Sequence, residues 1–121
     1  MANGLIKSAE LQGLHLVGMD GVKLGAVREA FLDLSAGTLA FLIVEGGGLL
    51  GGSGKFQPVP WSNVRYDPIA SHFQIAVDKA TFKASPSYDR DQLAKPGYGW
   101  QEQSARYFND ALASATSPAT P

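Results

Sequence analysis

The chain has 121 residues and a mass of 12.8 kDa, with 10 basic and 11 acidic side chains, a net charge of −1 and no cysteine. One domain of this size buries about two-thirds of its unfolded surface and needs no covalent staples. The composition excludes disulfides, thiol catalysis and thiolate metal centres, and its near-neutral balance speaks against a surface built for nucleic acid.

The first ten residues lack a basic start followed by an apolar stretch, so no signal peptide is expected. The longest apolar run, residues 39–44, is far shorter than the roughly 20 residues a helix needs to cross a bilayer. No membrane span and a cytoplasmic location are the expectation.

Residues 14–77 carry the punctuation of short strands. Leu14-His15-Leu16-Val17 is the first, and Asp20-Gly21 is a hairpin turn. A second strand runs over residues 23–34. Ala30, Leu32 and Leu34 alternate cleanly in it, but Val27 and Phe31 fall on the other parity, which predicts a bulge or a strand covered on both faces. Ser35-Ala36-Gly37 is the next turn. Residues 39–44 do not alternate, as expected of a strand buried on both faces.

Residues 46–54 are glycine and serine except for Leu49 and Leu50. They read as a long, mobile hairpin loop that presents two leucines. Lys55-Phe56-Gln57 begins another strand, and Pro58 and Pro60 place it at a sheet edge, because proline has no N–H to donate. Trp61-Ser62-Asn63 is a turn and Val64-Arg65-Tyr66 a short strand ended by Asp67-Pro68. Residues 72–77 alternate again, with Phe73, Ile75 and Val77 on one face.

Beyond residue 78 the pattern changes. Asp78 fits an N-cap for a single turn through Phe82. Pro86, Pro96, Gly97 and Gly99 predict irregular chain, and a helix fits residues 100–112, with Trp100, Ser104, Tyr107, Phe108, Ala111 and Leu112 on one face. Residues 113–121 are Ala, Ser, Thr and Pro only and are expected to be disordered. The domain reading is a barrel over 1–80, an extension with one helix over 81–112 and a tail over 113–121.

The motifs for chemistry fail on context. Residues 46–51 satisfy G-x-G-x-x-G, but no helix N-terminus follows to hold a pyrophosphate. Gly54-Lys55 lacks the remaining glycine and hydroxyl of a phosphate loop. His15 and His72 have no carboxylate two or four residues on and read as surface or strand-edge histidines. Asp89 and Asp91 lack a third ligand at calcium-loop spacing. Glu45 reads as a strand-end charge, the alternative being a part-buried carboxyl with raised pKa. No catalytic residue, cofactor or metal site is assigned. The late aromatic residues Tyr88, Tyr98, Trp100, Tyr107 and Phe108 either fill a groove on the chain's own barrel or form a partner surface, where Tyr and Trp are enriched.

In order and spacing, residues 13–17, Asp20-Gly21, Leu24-Gly25-Ala26-Val27, Asp33 with Gly37, the apolar strand to Val44, and Val59-Pro60-Trp61 resemble the PRC-barrel domain. That is the β-barrel of the photosynthetic reaction-centre H subunit, found also in the ribosome maturation factor family. The segment 84–89, with Trp100 and Tyr107-Phe108 beyond, resembles the tail of small stand-alone bacterial members. The resemblance implies a mainly β fold, a small barrel of about six short strands. In it Gly21 and Gly37 serve turns, Gly25 lets a neighbour approach closely, Pro60 ends an edge strand and Trp61 caps a barrel end. In the H subunit such a barrel covers the cytoplasmic face of the reaction centre; in the maturation factor it docks a ribosomal protein. Neither the membrane helix of the one nor the RNA-associated domain of the other is expected here.

The resemblance therefore implies a non-enzymatic protein–protein interaction module, expected to be homodimeric and to serve photosynthetic electron transport or a stress response. Its expected contact residues are Leu49, Leu50, Tyr88, Trp100, Tyr107 and Phe108. The alternative is a regulatory barrel that binds a small molecule, which an interior filled by Val27, Leu32, Phe41, Ile43 and Ile75 would rule out.

Overall fold

Short runs of β-branched and aromatic residues, separated by turn chemistry, give six strands. The computed structural model describes residues 5–48, 51–95 and 99–116. A one-turn helix, α1 (Ser8–Leu11), leads into β1 (His15–Val17), β2 (Lys23–Asp33), β3 (Thr38–Gly48) and β4 (Gly51–Pro60). A 3-10 turn, Trp61–Asn63, then connects to β5 (Val64–Asp67) and β6 (His72–Ile75). The extension holds α2 (Lys79–Lys83), α3 (Arg90–Ala94) and α4 (Trp100–Thr116).

The strands form one sheet in the order β4-β3-β2-β1-β6-β5, antiparallel except where β1 meets β6. Leu16, Val27, Leu42, Val59, Val64 and Phe73, one from each strand, belong to a single buried cluster. The sheet therefore wraps around a common core as a small barrel. The interior is filled by side chains, as the barrel interior of a small β-barrel is. Val27 and Ile75 lie there as expected, but Phe41 and Ile43 pack on the opposite face and Leu32 is exposed.

Both irregular strands have a physical account. Val27 pairs with Val44 but Glu29 with Ile43, which leaves Arg28 as an extra residue on β2. The bulge shifts the parity, so that Val27 and Ala30 both reach the core while Phe31 faces out. On β3, Leu42 and Val44 point into the barrel and Ile43 points outward against Phe56, Tyr88 and Trp100. Burial on both faces removes the alternation.

Gly25 shows why β2 and β3 can lie so close. A Cβ there would sit 2.5 Å from the Glu45 carbonyl oxygen and 2.8 Å from Val44 Cγ1, so only glycine fits. Gly21 and Gly37 take positive φ at the predicted turns, 79° and 71°.

Four expectations are corrected. Residues 46–54 are not a long loop: the ladder continues through Gly47↔Gly52 and Gly48↔Gly51. Backbone pairing needs no side chain, so the low strand propensity of glycine did not prevent it. Leu49 and Leu50 lie outside the described residues. Leu32 is not core, being 62% exposed, and Leu34 beside it is 87% exposed. Beyond Phe31 and Phe41, β2 and β3 pair only with each other, through Leu32↔Leu39 and Asp33↔Thr38, and form an arm past the barrel. The chain after Ser87 is not wholly irregular, because Asp89 caps α3 through the Gln92 N–H while Gln92 returns a bond to the Asp89 N–H. Finally, α4 runs to Thr116 rather than Leu112, Ala113 and Ala115 being strong helix formers; residues 117–121 lie outside the described part. The expected N-cap at Asp78 is present, its Oδ1 accepting the Thr81 N–H at 2.8 Å.

Candidate contact surfaces

The C-terminal extension is built into the barrel. Phe82 and Phe108, both fully buried, join the core cluster, and their rings lie 6.4 Å apart. Trp100, only 4% exposed, packs against Phe31 and Phe41 with ring centroids 5.1 Å from each. Tyr88 exchanges two backbone hydrogen bonds of 2.8 Å with Phe56, and its hydroxyl donates to Gln103 Oε1. Burial pushes the Tyr88 phenol above its usual range. Buried Gln57 donates through Nε2 to the Phe82 carbonyl at 2.7 Å and to Ser85 Oγ at 2.8 Å, which stitches β4 to the chain after α2.

Of the aromatic contact candidates, Tyr88, Trp100 and Phe108 therefore lie inside the chain's own fold, where a partner approaching from outside does not reach them. The groove-filling alternative describes their position. Tyr107 is half-buried and donates its hydroxyl to the Thr81 carbonyl at 2.7 Å. Tyr98 lies outside the described residues. Trp61 is half-buried at the start of the 3-10 turn, 5.9 Å edge-on from Phe73, and Pro60 ends β4 at the sheet edge.

Two hairpin ends project from opposite ends of β3. One is the glycine ladder, whose base is held by Glu45. Its Oε1 accepts Arg28 Nε at 2.9 Å and its Oε2 accepts the Gly54 N–H at 2.9 Å. The Gly54 bond, with Arg28 beside it, holds this carboxyl below the usual 4.5, so the raised-pKa alternative is corrected. Arg90, its Cζ 5.2 Å over the Phe56 ring, flanks an open depression lined also by Glu45, Gly54, Asp89 and Asp91.

The other end is the arm at the tip of β2 and β3. The Asp33 carboxylate accepts the N–H groups of Ser35 and Ala36 and the Ser35 hydroxyl, at 3.0, 3.1 and 2.7 Å. A turn fixed this way carries Leu32 and Leu34 into solvent beside a shallow depression lined by Phe31, Ala40, Phe41 and Gln101. The sequence reading missed these two leucines as surface residues, since clean alternation is also the signature of a core strand. The cue was Leu34 directly abutting the turn.

The histidines stand on adjacent strands. Leu16 pairs with Phe73 in the parallel β1–β6 ladder, so one step back His15 lies beside His72, and His72 pairs with Asp67 on β5. Sequence spacing could not show this, because the three residues are far apart in the chain. Among the described residues no helix is long and apolar enough to cross a membrane.

A model of the PRC-barrel domain family matches residues 3–81, which include all six strands. Among solved structures, one of a candidate 16S ribosomal RNA processing protein, RimM, of Pseudomonas aeruginosa is similar at 16% identity with a TM-score of 0.44. The match covers 64% of this chain and 47% of that one, so this chain spans about half of its length. No curated protein matches the chain.

Proposed function

The chain belongs to the PRC-barrel domain family, and from that premise we propose that it is a non-enzymatic protein–protein interaction module that associates as a homodimer. The observation that carries this is the arm at the tip of β2 and β3, which holds Leu32 and Leu34 62% and 87% exposed on a turn hydrogen-bonded by Asp33. Large aliphatic side chains displayed side by side on an ordered scaffold are what a docking surface offers. Leu49 and Leu50, which follow β3 in the sequence, are the second contact in this reading. The charged groups support it, since they serve structure. Asp33, Asp67, Asp78 and Asp89 each accept backbone N–H groups at turns or helix starts, and Glu45 holds Arg28 and Gly54.

The test is sedimentation velocity on the full chain across a wide concentration range. The wild type is expected as a dimer, and the double substitution Leu32→Asp with Leu34→Asp as a folded monomer. A wild type that stays monomeric throughout defeats the homodimer, and a variant that stays dimeric moves the interface away from the arm. The reading as a small-molecule barrel needs an internal cavity where Leu16, Val27, Leu42, Val59 and Phe73 are packed. Whether the module serves photosynthetic electron transport or a stress response follows from the identity of its partner.

A further inference from the structure

One level of the sheet's outer face carries an unusual row. Asp67 pairs with His72, His72 lies beside His15, His15 pairs with Ala26, and Ala26 pairs with Glu45. Leu16 and Phe73 are buried in the barrel, at 0% and 2% exposure. Because side chains alternate along a strand, His15 and His72 both stand on the outside. Neighbouring strands are about 4.8 Å apart, which puts the two histidines on adjacent strands at one level of the outer face, and the His72 charge acts on His15. Ala26, the next residue in the row, leaves room beside them. His15 is exposed and His72 half-exposed.

We propose that His15 and His72 form a two-imidazole site for a late first-row divalent metal ion, Cu²⁺ ahead of Ni²⁺ and Zn²⁺, with Asp67 supplying countercharge. Imidazole nitrogen suits these ions, and the order follows their general affinity for nitrogen ligands. Among the described residues no three His, Cys, Asp or Glu side chains already stand in metal-binding geometry. The pair itself is the site, and water completes the coordination.

The surrounding charges define when the site works. His15 faces Lys23 and Arg28 from β2, while Arg28 is itself held by Glu45 from β3. Burial first, then the charges of Lys23, His72 and Arg28, lower the His15 pKa from its ordinary value. On the other side, Asp67 Oδ1 accepts the N–H groups of Ile69 and Ala70 at 2.9 and 3.1 Å, which leaves Oδ2 to accept from a metal-bound water. Gln74 Nε2 lies 3.4 Å from His72 Nε2 and must swing aside when that nitrogen takes a metal. The ion would also tie β1 to β6, whose ladder is only Leu16↔Phe73 and Val17↔Gln74.

The experiment is calorimetric titration of the full chain with CuCl₂, ZnCl₂ and MgCl₂ at pH 7.5 and pH 5.0. At pH 7.5 one Cu²⁺ per chain is expected, bound more tightly than Zn²⁺, with no Mg²⁺ binding. Binding is expected to be weaker at pH 5.0, because protons compete with the metal for imidazole nitrogen. His15→Gln and His72→Gln each weaken Cu²⁺ binding at least tenfold, Asp67→Asn weakens it less, and Cu²⁺ raises the Tm of the wild type alone. A readout that needs no variant is paramagnetic broadening by Cu²⁺ in the NMR spectrum, expected first at the imidazoles and amides of residues 15 and 72. Broadening centred elsewhere, binding unchanged by either histidine substitution, or one ion per two chains would each overturn the site.

Discussion

Trp100→Ala decides whether the extension belongs to the barrel's cooperative unit. Trp100 is 4% exposed and sits between Phe31 and Phe41, with both ring centroids at 5.1 Å. An aromatic side chain of this kind buries roughly 150–250 Å², which at about 25 cal/mol per Å² is about 4–6 kcal/mol. Each aromatic pair adds roughly 0.5–1.5 kcal/mol beyond area. Alanine keeps part of the burial and neighbours relax partly into the space, so the expected loss is about 3–5 kcal/mol. Against a typical total of about 5–15 kcal/mol, that is a large share of the whole. Urea unfolding followed by far-UV circular dichroism measures it. With a slope of about 1–3 kcal/mol/M, the midpoint falls by 1 M or more. Trp61, half-buried against Phe73 in the barrel core, remains as a fluorescent probe on the far side of the sheet from Trp100. Its transition should move together with the dichroism. A loss under about 1 kcal/mol, or a Trp61 transition that stays at its wild-type midpoint, would refute the reasoning.

Gly25→Ala places a methyl group 2.5 Å from the Glu45 carbonyl oxygen and 2.8 Å from Val44 Cγ1, so β2 and β3 must part; a loss of about 2–3 kcal/mol or more is expected in the same urea assay. The Glu45 carboxyl is held below 4.5 by the Gly54 N–H and Arg28, so the fold favours its charged form. Its stabilisation is complete above that pH and disappears as pH falls through the lowered value. Thermal unfolding from pH 7 to pH 3 should show wild type losing Tm below pH 4.5, while Glu45→Gln starts lower at pH 7 and falls less steeply.

What could be read from the chain were features that depend on neighbours in sequence. Phe73, Ile75 and Val77 alternate and are all buried; Asp78 caps α2; Pro58 and Pro60 mark an edge; the run through Val44 lacks alternation because both faces of β3 are covered. What was not legible depends on pairing. The register of β2 against β3 decides that Ala30 packs inward while Leu32 and Leu34 leave the barrel, although all three share one parity in sequence. The glycine ladder was hidden because propensity describes side chains, whereas the ladder is backbone pairing anchored by Glu45. The α3 cap, Asp89 with Gln92, was present in the sequence and outweighed by nearby prolines.

The sheet's two halves differ in what they can still contact. Outside β2, β3 and β4, Tyr88, Leu93 and Trp100 cover Phe31, Phe41, Ile43 and Phe56. The β4 edge is closed as well, since Pro58 and Pro60 lack donors and Phe56 is paired with Tyr88. Outside β5, β6 and β1 stand His15, Arg65, His72 and Gln74, with Arg65 and Gln74 paired across strands. A barrel that needed covering on all sides would carry a continuous apolar face there too, and this half carries mostly polar residues, Val17 beside Gln74 excepted. Truncation at residue 81, the end of the family match, would therefore expose one apolar face and remove Phe82 and Phe108 from the core. The extension covers the apolar outer face of β2, β3 and β4, and leaves the outer face of β5, β6 and β1 and the arm bearing Leu32 and Leu34 exposed.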